Sequence, residues 1–335
     1  MTYGTQTVIV IKEDVSDKAR APKPILTKTG DVDMLEKIYD LFGWTFHQRH
    51  AFENLIKACG NLFGDGFSFK SITASIMVIV ELFSAAVFKT PQPAVGDKLD
   101  LSGYTRVLYE EFEGDSLNTE LWKCRGTGKE RCGYNAPSQI RVEDGNLIIT
   151  GEYREDGELG PGWYSAEVAL KKWQEYGGYF EIKCICNKDY GFWSAFWMQS
   201  EHSYDHELSA GGVGGAEIDI FEAMSYDALL KKNRNAVTQT IWCNGGDDDP
   251  DNLDKIGMGR YYGNDIYDTY NTYGLLWTED EYVFYVNGIE TARTSQAVSH
   301  APEQLIMSLC LPGEINFSKD YKTEFIIDSV SIYRK

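Results

Sequence analysis

The sequence predicts an all-β fold, a jelly-roll β-sandwich with a small helical segment at its N-terminus. Three observations lead there. Beyond residue 100, short runs rich in Val, Ile, Tyr, Phe and Trp recur between turn residues. Two separators, Asp144-Gly145 in QIRVEDGNLIITGEY and Asn287-Gly288 in EYVFYVNGIETART, are dipeptides favoured by tight hairpins, whose central positions take positive φ. None of the runs has helical periodicity, so no helices alternate with the strands and a sandwich of antiparallel sheets is expected.

Taken in order, residues 1–32 are expected to be a flexible lead. Residues 33–89 carry apolar positions three and four apart (Met34, Ile38, Leu41 and Phe42, then Phe52, Leu55, Ile56 and Cys59), the spacing of helices. Gly60, Gly64 and Gly66 divide them into short pieces. The apolar run Ile72 to Phe88 lies between Lys70 and Lys89. It is short for a span of about 20 residues and contains Glu81. A buried helix is the first reading. A membrane anchor is the alternative, as is an internal signal sequence, for which Ser84 and Ala86 fit a cleavage pattern. No ordinary secretion signal is expected at Met1, because the run Val8 to Ile11 lacks a basic start and a small-residue cleavage pattern. Pro91 and Pro93 then stop helix propagation and mark 90–100 as a linker, leaving 101–335 as the sandwich.

Composition narrows the class of partner. The 335 residues carry a net charge of -19, which excludes phosphate-backbone binding and anionic membrane surfaces, since both need clustered Lys and Arg. A neutral polysaccharide suits such a surface. Seven cysteines cannot all pair within a monomer, and none shows zinc-site spacing; most are expected to be small buried hydrophobes.

The segment GGAEIDIFEA carries the chemistry. On a strand, Glu217 and Asp219 share one face and Ile218 and Ile220 the other. Glu222 falls on the wrong face unless one extra residue, a β-bulge around Ile220 and Phe221, restores the parity. With that bulge three acids enter one groove. Retaining glycoside hydrolysis needs two carboxyl groups about 5–5.5 Å apart, and Glu side chains are long enough to converge from separated strand positions. Glu217 is assigned as nucleophile, Glu222 as acid and then base, and Asp219 as the group that orients and tunes Glu217 through mutual repulsion and shared protons. The bland alternatives are a solvated acidic strand face and a calcium cluster, but like charges packed on one face oppose strand pairing.

Glu217 to Glu222, E-I-D-I-F-E, resembles the bulged signature of glycoside hydrolase family 16. LYEEFEGDSLNTELW, VEDGNLIITGEY, YGGYFEIK, GFWSAFWMQS, YNTYGLLWTEDEYVFYVNG and FIIDSVSIYRK are similar to other blocks of that family, in its order, over most of 104–335. The resemblance implies a concanavalin A-like jelly roll of two curved sheets with an open cleft. It also implies the same three roles for Glu217, Asp219 and Glu222, and, from the bulged form, β-1,3-glucanase or some galactan hydrolase activity. It further suggests a structural calcium ion held by the Asp328 side chain and the Gly145 main chain, with no cofactor required for catalysis. Three positions depart from the family pattern: Trp242 in place of a frequent histidine, Lys183 in place of an arginine, and Glu167 where a basic residue is common.

Sugar rings present flat C–H faces, so aromatic platforms are expected along a glycan cleft. Trp193 and Trp242 are the favoured cleft residues, with Trp197 and Trp163 as further substrate-binding candidates; core packing is the alternative for each. The expected function is retaining endo-hydrolysis of a β-glucan, with a β-1,3-linked polymer as the first reading, at an extracellular or cell-surface location. The alternatives are a transglycosylase or a galactan (agar- or carrageenan-type) hydrolase of the same family, or a lectin-like binding module without catalysis.

Overall fold

Hairpins supply most of the architecture. Asp144 (φ 52°) with Gly145 (φ 70°), and Asn287 (φ 52°) with Gly288 (φ 71°), both adopt the left-handed conformation that two-residue turns require. The computed structural model describes residues 93–335 apart from 189–190, 206, 225, 228–231, 234, 244–253 and 315–316. The lead at 1–32, the helices expected over 33–89, the run Ile72 to Phe88 and Cys59 all lie outside the described residues. Among those described, no helix is long and apolar enough to cross a membrane.

The chain runs through β1 (Thr105–Glu110), β2 (Trp122–Arg125), β3 (Gly128–Glu130), β4 (Gly133–Asn135), β5 (Ile140–Glu143) and β6 (Asn146–Arg154). It continues through β7 (Gly162–Ser165), β8 (Glu167–Leu170), β9 (Gly178–Ile185), β10 (Trp193–Ser200) and β11 (Glu217–Glu222). A short pair, β12 (Tyr226–Asp227) and β13 (Lys232–Asn233), precedes β14 (Val237–Cys243) and β15 (Asp254–Tyr261). The remaining strands are β16 (Asn271–Trp277), β17 (Tyr282–Val286), β18 (Ile289–Thr294), β19 (Glu303–Cys310) and β20 (Lys322–Arg334).

Two sheets result. One runs β18-β17-β16-β9-β20-β6-β7-β4-β3, with β1 added to β20 and β5 to β6; the other runs β15-β14-β11-β10-β19-β8-β2. Alternation then divides each strand. From the second sheet Phe196, Met198, Ile218 and Phe221 face the first, whose Phe180, Tyr273, Leu275, Phe325 and Ile327 complete a fully buried core. Residues 96–99, expected as linker, instead dock on the edge of the first sheet: Gly96 N–H donates to Glu290 O at 3.0 Å and Leu99 N–H to Gly288 O at 2.8 Å. Cys124, Cys132 and Cys310 are partly exposed thiols, and Cys184, Cys186 and Cys243 are buried.

Candidate active site

Strand β11 lies third of seven in its sheet, between β14 and β10. Glu217 pairs with Gln199 and Trp242, Asp219 with Trp197 and Thr240, and Glu222 with Ala195 and Thr238. The partners step by two along both neighbours, whereas the acids step by two and then three, so β11 holds one extra residue between Asp219 and Glu222. All three acids therefore project from one face. The core face gains from the same kink: the Phe221 ring packs 4.1 Å from Tyr273, and Ile218 and Ile220 are fully buried. Entry into β11 depends on Gly215 (φ 140°), where an added Cβ would lie 2.0 Å from Ser200 Oγ.

Each acid accepts a hydrogen bond from a neutral side chain. Trp193 Nε1 donates to Glu222 Oε1 at 3.0 Å, and Trp242 Nε1 donates to Asp219 Oδ2 at 3.0 Å. Gln199 Nε2 donates to Glu217 Oε2 at 2.8 Å, and the Tyr204 hydroxyl donates to the same oxygen at 3.2 Å. Asp219 is buried, while Glu217 and Glu222 are half-buried and reach the groove. Trp193 and Trp242 thus stand on the acid face, where the sequence put them. Trp197 shares that face and donates from Nε1 to Ser308 Oγ at 2.9 Å. Trp163 does not join them. Its ring is buried among Tyr153, Phe192, Phe317 and Tyr321, because β7 belongs to the opposite sheet and turns this side chain into an aromatic cluster.

Sequence reasoning missed the groups behind Glu217. Gln199 follows Trp197 by two and so was legible as a face residue. Arg125 could be placed only by register: β2 pairs with β8 so that Arg125 lies opposite Glu167, and the two form an ion pair at 2.8 Å. The basic residue that Glu167 displaces is thus answered by a guanidinium from the next strand. Burial pushes the Glu167 carboxyl up, and Arg125 offsets part of that shift.

A further buried acid lies at the entry to β11. Glu303 Oε1 accepts from Ser299 Oγ at 2.5 Å and from the Ala216 amide at 3.2 Å. Burial, with a smaller contribution from the charge on Glu217, raises this carboxyl to about 8 despite those two bonds.

The calcium expectation fares differently. Asp328 Oδ2 faces the Lys183 ammonium at 3.2 Å and accepts from Ser329 Oγ at 2.9 Å. The Lys183 ammonium thus stands at the carboxylate oxygen that a divalent cation would take, and such an ion would have to displace it. Among the described residues no group of three or more His, Cys, Asp or Glu could hold a metal.

A jelly roll whose open sheet carries a bulged row of acids flanked by tryptophans defines a domain built to act on carbohydrate. The chain belongs to glycosyl hydrolases family 16, whose model matches residues 133–325, more than half of it. It is 26% identical over 243 residues to a beta-glucanase of Acetivibrio thermocellus, covering 71% of this chain and 61% of that protein. It is 28% identical over 162 residues to the endo-1,3-1,4-beta-glycanase ExsH of Rhizobium meliloti, covering 47% of this chain and 30% of that protein. The chain thus spans less than two thirds of either relative. Among solved structures it is similar to SCLam, a non-specific endo-beta-1,3(4)-glucanase (TM-score 0.60, 19% identity, covering 75% of this chain and 98% of that one). It is also similar to the endo-beta-1,3-glucanase of Pyrococcus furiosus (TM-score 0.56, 18% identity, covering 72% and 98%).

Proposed function

We propose that this chain is a retaining endo-β-glucan hydrolase that cleaves internal β-1,3 bonds of a laminarin-like polymer. The observation that carries the reading is the extra residue in β11, which gathers Glu217, Asp219 and Glu222 on one face. In the first step the Glu217 carboxylate attacks the anomeric carbon while Glu222 gives its proton to the departing glycosidic oxygen. This leaves a covalent glycosyl-enzyme of inverted configuration. In the second step Glu222, now a carboxylate, takes a proton from a water molecule that attacks the same carbon, releasing Glu217 and a sugar of retained configuration. Asp219 lies between the two and, with its Trp242 bond, orients and tunes Glu217.

Two strands lie beyond β11 on one side and four on the other, which suits a polymer bound across the sheet and cut internally. The β-1,3 preference draws on the bulged motif and on the activities named for the Pyrococcus furiosus neighbour and for a Niallia circulans glucan endo-1,3-beta-glucosidase that is 24% identical. A polymer of this size is met outside the cell or at its surface.

Laminarin, lichenan, agarose and carrageenan should be supplied in parallel, with product sizes and anomeric configuration followed by NMR. Mid-length β-configured products from laminarin are expected. Cleavage of the galactans alone would overturn the substrate, and α-configured first products would overturn the mechanism. Glu217→Gln should abolish hydrolysis; a binding module without catalysis would keep its full function in that variant. Added oligosaccharide acceptor would reveal a transglycosylase by lengthened products.

A further inference from the structure

Glu217 Oε2 lies at one end of a chain of polar side chains that runs across the cleft sheet. Gln199 Nε2 donates to that oxygen at 2.8 Å and to the Tyr204 hydroxyl at 2.8 Å, and Tyr204 donates to Oε2 at 3.2 Å, closing a ring of three groups. Behind it, Gln199 Oε1 accepts from the Arg125 guanidinium, which also pairs with Glu167 at 2.8 Å and lies 5.1 Å over the Trp197 ring. A guanidinium can only donate. It therefore fixes the otherwise reversible amide so that the NH2 group, and not the carbonyl, faces Glu217. Gln199 is 5% exposed, so water does not compete strongly for its donors. Burial, together with the charge on Glu217, pushes the Tyr204 hydroxyl up and keeps it neutral, and hence a donor, through the neutral range.

Resting on the assignment of Glu217 as nucleophile, we propose that Gln199 is a positioning residue for that carboxylate and that Arg125 acts through it by setting the amide's orientation. Two donors converging on Oε2 stabilise the ionised form and fix the plane of the carboxyl group, which sets the line of attack. Departure of the glycosyl group in the second step restores charge to Glu217, so the same donors favour both the resting enzyme and the release step. Among the described residues, charged or titratable groups around Glu217 include Asp219 and Glu222 on its own strand, Tyr204 from the segment after β10, Arg125 from β2 behind Gln199, and Glu303 from β19.

The test measures the Glu217 titration directly, by 13C NMR of labelled glutamate carboxyls, with the Glu217 signal assigned by its loss in Glu217→Gln. Gln199→Leu should raise the Glu217 pKa by about one unit, the size expected for losing a hydrogen bond to a charged group. Gln199→Glu, which keeps the shape and the bond to Arg125 and so guards against misfolding, should raise it further. Arg125→Met should shift it in the same direction, and should do so by less in the Gln199→Leu background than in the wild type, because the part that acts through the amide is already lost there. On laminarin, kcat should fall about 10- to 100-fold in Gln199→Leu with KM nearly unchanged, and the acid limb of the pH profile should move up with the NMR value. An unshifted Glu217 titration in both Gln199 variants would overturn the proposal, and additive Arg125 and Gln199 effects would remove Arg125 from it. Glu217→Ala separates this from the reading beneath it. If that variant is inactive until azide restores turnover as an inverted glycosyl azide, the nucleophile stands whatever Gln199 does. If it keeps full activity, the nucleophile assignment fails on its own.

Discussion

On the cleft sheet, Glu222 is held by the Trp193 indole, Asp219 by the Trp242 indole, and Glu217 by the Gln199 amide and the Tyr204 hydroxyl. On the opposite sheet, Asp328 faces the Lys183 ammonium at 3.2 Å, and Glu324 faces Arg141 at 2.9 Å and Lys322 at 3.1 Å. The two arrangements do different things to a proton. Burial pushes Glu324 up, but its two cations outweigh that and hold it below the ordinary carboxylate range. A carboxyl that must give up and regain a proton in each cycle is poorly served by such partners. Neutral donors fix its direction while leaving its charge state adjustable. The cleft sheet has its own cation-paired carboxylate in Glu167, held by Arg125. The contrast therefore lies between Asp328 and Glu324, tied to cations, and the three acids of β11, each of which also accepts from a neutral donor.

The largest break in this contrast comes from removing the reactive groups. Glu217→Gln is expected to lower kcat about 10^4-fold or more, since a carboxamide does not form the glycosyl-enzyme bond that the carboxylate forms. Glu222→Gln should cost about 10^2- to 10^4-fold on a polysaccharide. That loss should shrink on aryl glycosides whose leaving groups need no proton, and an equal loss on both substrates would argue against Glu222 as the acid. By contrast Glu324→Gln, on the other sheet, should leave kcat within about twofold of the wild type, the range expected of a surface change remote from the chemistry.

The kink itself can be tested next. Phe221 occupies the core side of the bulge against Tyr273, and Phe221→Ala should lower stability by about 3–5 kcal/mol, read from urea or thermal unfolding. Activity measured well below the unfolding transition should fall as well, because the space vacated lets β11 relax toward an unkinked pairing. Lost stability with unchanged kcat would show that the bulge is held by its hydrogen bonds and not by the core.

Glu303 extends the comparison to a buried carboxyl paired with a hydroxyl and an amide. Its folded-state value of about 8 lies above the ordinary 4.5, so between these values the native state keeps a proton that the unfolded chain has released. Its contribution to stability is full below about pH 4.5 and is lost as pH rises toward 8, with a slope of about 1.4 kcal/mol per pH unit. Glu303→Gln should remove that slope and stabilise the protein relative to the wild type at the alkaline end of the window. Unfolding curves for both proteins at several pH values measure the difference; parallel pH profiles would mean that Glu303 stays ionised in the fold.

Much of this was legible in the residues. The two Asx-Gly turns announced the hairpins because their backbone conformation has few other tenants, and the acids announced the bulge because their spacing makes no sense on a regular strand. Trp193 and Trp242 were singled out as aromatic platforms, and the structure sets both indoles against the acids of β11. Trp163, also a candidate, does not join them, since a tryptophan in a strand looks the same whichever sheet the strand joins, and only topology sends β7 to the far side. Arg125 and Tyr204 were invisible for a related reason. One reaches the site through the register of β2 on β8, and the other through the path of the chain after β10, neither of which a local pattern encodes.

The smallest effect concerns the cation-paired side of the comparison. Asp328 and Lys183 are both partly exposed, so their ion pair is screened by solvent and worth at most about 1 kcal/mol. Lys183→Met is therefore expected to lower Tm slightly and to leave kcat unchanged. Because the ammonium already neutralises Asp328, a chelator should leave the wild-type Tm where it was, and millimolar calcium should not raise it. A Tm that falls on chelation and returns with calcium would show that this carboxylate anchors a divalent ion instead. The side chain of Lys183 would then have to give way, and the pairing that sets Asp328 apart from the acids of β11 would be a contact the ion replaces.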